Sequence, residues 1–198
     1  MTIEKPWSKE FDGLLKQLES SWGGKVKKPG KSREKQDPRF VASDYFFYPT
    51  YYGEMEGLKT SISISEICGG DMSIIAARDN VEFLDIHVYV KSGYYIKVTR
   101  EGGTERFKKF FRLSHDVDTG NEELDKKYVF ETKSKNDRIL LKSIEFQQHF
   151  KNLEPLSYFK ISKFQTLWMQ ALCDKSQFAF AEIEKYMRTL FEIAKIIA

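Results

Sequence analysis

Cysteine is scarce in this chain, with two residues among 198. Cys68 and Cys173 stand far apart and match no metal-ligand spacing, which argues against a zinc ribbon or finger. They read as reduced thiols in a cytosolic protein, with a disulfide between them as the alternative. Long apolar runs are absent too. No window approaches the ~18 residues a membrane helix needs, and the opening Met1-Thr2-Ile3-Glu4-Lys5-Pro6-Trp7 lacks the basic start and apolar run of a secretory signal. Excess charge of one sign is missing: 32 basic against 29 acidic side chains leave a net charge of +3, a balance that does not by itself mark a nucleic-acid binder. The expected location is the cytoplasm.

Catalytic signatures are equally thin. The glycine pairs Gly23-Gly24 and Gly102-Gly103 lack the strand-to-helix context of a phosphate-binding loop and read as turns. No Ser or Cys sits in a nucleophile-elbow pattern, so a hydrolase triad finds no support.

Core material is what the chain does have. Hydrophobic residues make up 41% and aromatics 15%, with 16 Phe and 10 Tyr. A chain of this length buries roughly 70% of its unfolded surface, so it folds without a disulfide or metal staple.

The patterning divides the chain into an N-terminal helix over residues 1–24, a basic flexible linker over 25–39 and a single α+β domain over 40–198. Phe11, Leu14, Leu15, Leu18 and Trp22 recur three and four apart, which predicts one helix from about Ser8 to Ser21, stopped by Gly23-Gly24. From Lys25 to Arg39 seven cations face two acids, and Pro29, Gly30 and Pro38 deny regular structure.

Period-two alternation follows. Leu84, Ile86, Val88 and Val90 point one way, and Phe83, Asp85, His87 and Tyr89 the other. Leu58, Ile62 and Ile64 alternate with Lys59, Ser61 and Ser63. Turn signals at Glu56-Gly57, Gly69-Gly70-Asp71, Asp79-Asn80 and Ser92-Gly93 predict antiparallel hairpins, because parallel crossovers need longer connections.

The second half reads as a short helix over Thr104–Arg112, a polar turn from Thr119 to Asp125 and a strand over Tyr128–Thr132. A mid-chain helix follows, capped by Asn136 or Asp137, ending before Pro155 and carrying a stripe of Ile139, Phe146, Phe150 and Leu153. Two strands come next, near Leu156–Ile161 and Gln165–Leu172. The last helix, roughly Ser176 to Ile197, repeats Phe180, Ile183, Met187, Leu190, Ala194 and Ile197 at helical spacing. The expected fold is α+β: a mainly antiparallel sheet with an N-terminal helix, a mid-chain helix and a long C-terminal helix packed on it.

Asp118-Thr119-Gly120, followed by Asp125, Tyr128 and Val129, resembles a motif of a group of uncharacterised prokaryotic proteins of unknown function. In that group a Thr-Gly turn precedes an Asp and a strand, then a helix, two strands and a terminal helix. The resemblance spans about residues 50–198 and departs at Leu124, where the group tends to carry an aromatic. It implies the fold and transfers no catalytic residue.

Three site readings compete. Asp118 with Glu131 and Lys133 matches the Asp…Glu-x-Lys pattern of metal-dependent nucleases, in which the carboxylates hold Mg²⁺ and the lysine helps activate water. The tripeptide is common in so charged a chain, so short a motif is weak support. His87 beside Asp85, His115 beside Asp116 and Asp118, and His149 each lack a third ligand at suitable spacing. For nucleic acid the candidates are Lys25, Lys27, Lys28, Lys31, Arg33 and Lys35, with Tyr45 and Tyr48 as stacking partners from the aromatic run that reaches Tyr52. The leading expectation is a non-enzymatic intracellular binding module for a protein or small ligand, using sheet edges and a wet aromatic face. Nucleic-acid binding is the alternative, and a nuclease the third. No cofactor is expected, Mg²⁺ entering only under the nuclease reading.

Overall fold

The computed structural model describes residues 8–27, 49–65, 83–100, 117–162, 166–172 and 179–198. The fold is α+β. Eight strands form one sheet in the order β1-β2-β3-β4-β8-β7-β5-β6, and every neighbouring pair is antiparallel. The strands are β1 Lys25–Lys27, β2 Thr50–Met55, β3 Leu58–Ser65, β4 Phe83–Tyr89, β5 Ile96–Arg100, β6 Tyr128–Thr132, β7 Tyr158–Ser162 and β8 Thr166–Leu172. The described helices are α1 Ser8–Trp22, α2 Glu122–Lys127, α3 Lys135–Lys142, α4 Ile144–Asn152 and α5 Phe180–Ile197.

Antiparallel register puts directly paired residues on the same face. Tyr51, Ile62, Ile86, Met169 and Phe159 are therefore joined strand to strand, and all are buried in one core with the inner stripes of α1, α4 and α5. The stripe expected for α1 is the one it buries: Phe11, Leu14, Leu15 and Leu18. Likewise α5 buries Ile183, Met187, Leu190, Ala194 and Ile197, and its Glu184–Arg188 pair closes at 2.7 Å. The helices thus cover one face of the sheet. The other is left for the residues that alternate with the core set.

Two turns carry the glycine chemistry. Gly23 and Gly24, with φ of 71° and 86°, stop α1 and turn the chain back into β1. Glu56 and Gly57, with φ of 50° and 77°, close the two-residue β2–β3 hairpin, as a turn of the primed types requires.

Several local expectations need correction. The linker expected from residue 25 begins instead as β1, because Lys25–Lys27 adds to the edge of β2, and Glu19 Oε1 accepts the Val26 N–H at 3.3 Å. Residues 28–39 of that linker lie outside the described residues, as does the short helix expected over 104–112. The polar turn at 119–125 is a helix entry. Asn121 caps α2 by accepting the Leu124 N–H at 3.4 Å, and Leu124 is buried. The mid-chain helix is two helices. Ser143 ends α3, its hydroxyl donating to the Leu140 carbonyl at 2.8 Å, and caps α4 by accepting the Phe146 N–H at 3.3 Å. The cap of α3 is Ser134 rather than Asn136 or Asp137. Asp137 is the third residue of a capping box, which lets its carboxylate reach back to the cap. The break turns Ile139 outward, 60% exposed, and buries Leu140 and Leu141.

A candidate ligand-binding face of the sheet

The face away from the helices carries a row that crosses all eight strands. Register pairs Lys25 with Tyr52, Tyr52 with Ser61, Ser61 with His87, and His87 with Trp168. It continues from Trp168 to Lys160, from Lys160 to Lys97, and from Lys97 to Glu131. Each strand contributes one member. The row runs from a lysine through three rings to two more lysines and a carboxylate.

Its centre is tightly organised. The His87 ring lies 5.1 Å from that of Trp168 at 14°, and 6.5 Å from Tyr89 at 23°. Trp168 Nε1–H donates to Asp85 Oδ1 at 3.1 Å, and Tyr158 meets the indole edge-on at 4.8 Å. Asp85, Gln170 and Tyr158 are buried beside it. Burial lowers the His87 pKa to about 4, so the imidazole is neutral near pH 7.

The β1–β4 end opens into a groove of about 610 Å³, a size that suits a small ligand. Trp22, Lys25, Lys27, Tyr52, Lys59 and Tyr89 supply its side-chain walls, with Glu54 among them. Tyr52 and Tyr89 are 40% and 41% exposed. Lys27 Nζ sits 4.8 Å from the Tyr52 ring centre, and the Tyr89 hydroxyl is 3.4 Å from Ser61 Oγ. Three cations and one carboxylate thus surround two ring faces.

The nuclease candidates are each engaged in a separate local arrangement. Glu131 pairs with Lys97 at 3.0 Å, and Lys133 Nζ lies 4.1 Å over the Tyr95 ring. Asp118 accepts the Gly120 N–H at 2.6 Å and lines a shallow groove with Glu122, Asp125 and Lys126, whose walls include neither Glu131 nor Lys133. The Gly120 N–H, then a hydrogen bond with Asp125, lowers the Asp118 pKa; burial raises that of Asp125. Among the described residues no three His, Cys, Asp or Glu gather as a metal site.

Of the nucleic-acid candidates, Lys25 and Lys27 are exposed on β1, while Lys28, Lys31, Arg33, Lys35, Tyr45 and Tyr48 lie outside the described residues, as do His115 and Asp116. His149 is half-buried on α4. Sequence reasoning passed over Lys59, Tyr89 and Trp168. Alternation alone placed Tyr89 on the outer face of β4, but which strands lie beside it is a matter of long-range pairing.

No family model matches the chain, and no curated protein is similar to it. In fold it is similar to the mycobacterial trehalose monomycolate transport factor A, TtfA, with a TM-score of 0.55 and 8% identity over 97% of this chain and 95% of that one. At that identity the likeness is one of fold. No described helix is long and apolar enough to cross a membrane.

Proposed function

We propose that the protein is a non-enzymatic binding module, acting in the cytoplasm and without a cofactor, whose ligand lies on the Tyr52–Tyr89 groove. The observation that carries this reading is the pair of exposed tyrosines walled by Lys25, Lys27 and Lys59. A ring-bearing anion suits it. The rings offer flat apolar surface to stack on, and the ammonium groups offer charge. Fold similarity to a protein described as a transport factor is in keeping with binding. The nuclease reading is not favoured, since Glu131 and Lys133 are engaged with Lys97 and Tyr95.

The test is titration with 8-anilinonaphthalene-1-sulfonate, an anion with fused rings. One site is expected. Lys27→Gln should weaken it about two- to fivefold, the size of an exposed cation–ring contact, and Tyr52→Ala with Tyr89→Ala should abolish it. Ile139→Ser, at an exposed apolar position elsewhere, should leave it unchanged. Near-UV circular dichroism confirms that each variant keeps its packing, since loosened states bind the dye unspecifically. Dye binding indifferent to both tyrosines would sink the reading.

A further inference from the structure

We propose that the partner of this face is single-stranded nucleic acid, lying across the strands along the Lys25–Glu131 row. The inference rests on the binding reading above and names the ligand class.

Length and order carry it. Lys25 and Lys160 are five strand steps apart in the sheet order. At about 4.8 Å per step that is ~24 Å. Between them lie the exposed Tyr52 and the half-buried His87 and Trp168, which stack on one another, with Lys97, paired to Glu131, beyond. Cations at both ends with rings between match a polymer that alternates phosphates and planar bases, whereas a small anion meets only one end. Stacking of unpaired bases on sheet-borne rings, with lysines along the backbone, is the general chemistry of single-strand recognition. A duplex hides its base faces from such rings.

Strand β1 strengthens the case. Lys25 and Lys27 open the most basic stretch of the chain, and register sets that opening directly against Tyr52. Among the described residues, opposing charge on the face is largely engaged. Glu131 is paired with Lys97, and Asp85 accepts the Trp168 N–H, which leaves Glu54 beside the groove. Lys27 lies on the Tyr52 ring. An exposed contact of that kind is weak, so a base displaces the ammonium, which then turns to phosphate.

The experiment is fluorescence anisotropy of a fluorescein-labelled oligothymidylate of about 20 nucleotides, between about 50 and 200 mM salt. Expected is binding whose logarithm falls against log salt with a slope of about −2.8 from the three groove lysines and Lys160, at −0.7 each. Lys25→Gln/Lys27→Gln/Lys59→Gln should bring the slope to about −0.7, and adding Lys160→Gln should bring it towards zero. Tyr52→Ala and Tyr89→Ala should each weaken binding roughly tenfold with the slope unchanged, and Tyr52→Phe should restore it. No binding at the lowest salt, equal affinity for a duplex, or indifference to both tyrosines overturns the inference. If polyglutamate competes as well as the oligonucleotide, the partner is an acidic protein and the inference also fails. Dye binding that survives while the oligonucleotide does not bind overturns this inference and leaves the groove reading standing.

Discussion

The carboxylate of Asp137 accepts the backbone N–H of Tyr95 at 3.0 Å, across 42 residues of sequence. The same buried side chain accepts the N–H groups of Lys133 at 3.0 Å and Ser134 at 2.7 Å. One residue thus completes the capping box of α3 and pins the entry to β5, next to the end of β6. It also fixes the corner where Lys133 covers Tyr95.

Replacing it should be costly. Asp137→Ala strands three amide donors, and hydrogen bonds to a charged group contribute about 1.5–3 kcal/mol each, short of full additivity. The expected loss is about 3–5 kcal/mol in urea unfolding, with Asp137→Asn losing less because its amide oxygen still accepts. A loss under ~1 kcal/mol for the alanine variant would mean that water replaces the carboxylate.

His87 sets a pH dependence. Its folded pKa is lowered to about 4 by burial, against 6.5 when unperturbed. Below pH 6.5 the unfolded chain takes up the proton and the folded chain does not, so stability is complete above that value and falls as pH drops towards 4. The full effect is at most ~3 kcal/mol. His87→Phe keeps a ring against Trp168 and removes the titration. Between pH 7.5 and 4.5 the parent should lose about 2 kcal/mol more than the variant. Parallel losses in the two proteins would show that His87 reaches water freely.

What was legible in the sequence was what repeats locally. The stripes of α1 and α5 follow from short-range periodicity and are buried except at their ends, Trp22 and Phe180; in β4 the expected inward set is buried, and so are Phe83 and Asp85 on the other face. The breaks were harder. Ser143 serves two helices at once because its hydroxyl both donates and accepts, and no periodicity announces such a double role. Asn121 looks like a turn residue until Leu124 is known to be buried. The outer-face row was hidden for a different reason. Asp85 and Trp168 meet from 83 residues apart, and β8 lies between β4 and β7 only because the sheet order departs from chain order.

Glu131→Gln separates binding from metal chemistry. Its partner is Lys97 at 3.0 Å, with side chains 38% and 31% exposed. A pair this wet contributes about 0.2–1 kcal/mol, so unfolding should change by no more than that. Millimolar Mg²⁺ or Mn²⁺ should leave the melting temperature of both proteins unchanged. Stabilisation of the parent by either ion, lost in the variant, would revive the nuclease reading.

Gly53→Ala probes the wall behind the groove. The Tyr51 ring is fully buried across Gly53, and its hydroxyl donates to the Gly23 carbonyl at 3.0 Å. A methyl at Gly53 would fall 2.6 Å from Tyr51 Cζ and 2.9 Å from Cε1, inside contact distance. The ring has no room to retreat without losing its hydrogen bond and its place beside the end of α1. Overpacking of this kind costs about 1–3 kcal/mol. The sign should reverse once the ring is gone. In a Tyr51→Val background, Gly53→Ala should gain about 0.5–1 kcal/mol, because alanine surrenders less backbone freedom than glycine in a strand. Equal costs in the two backgrounds would place the strain in the backbone of β2 and clear the ring of it.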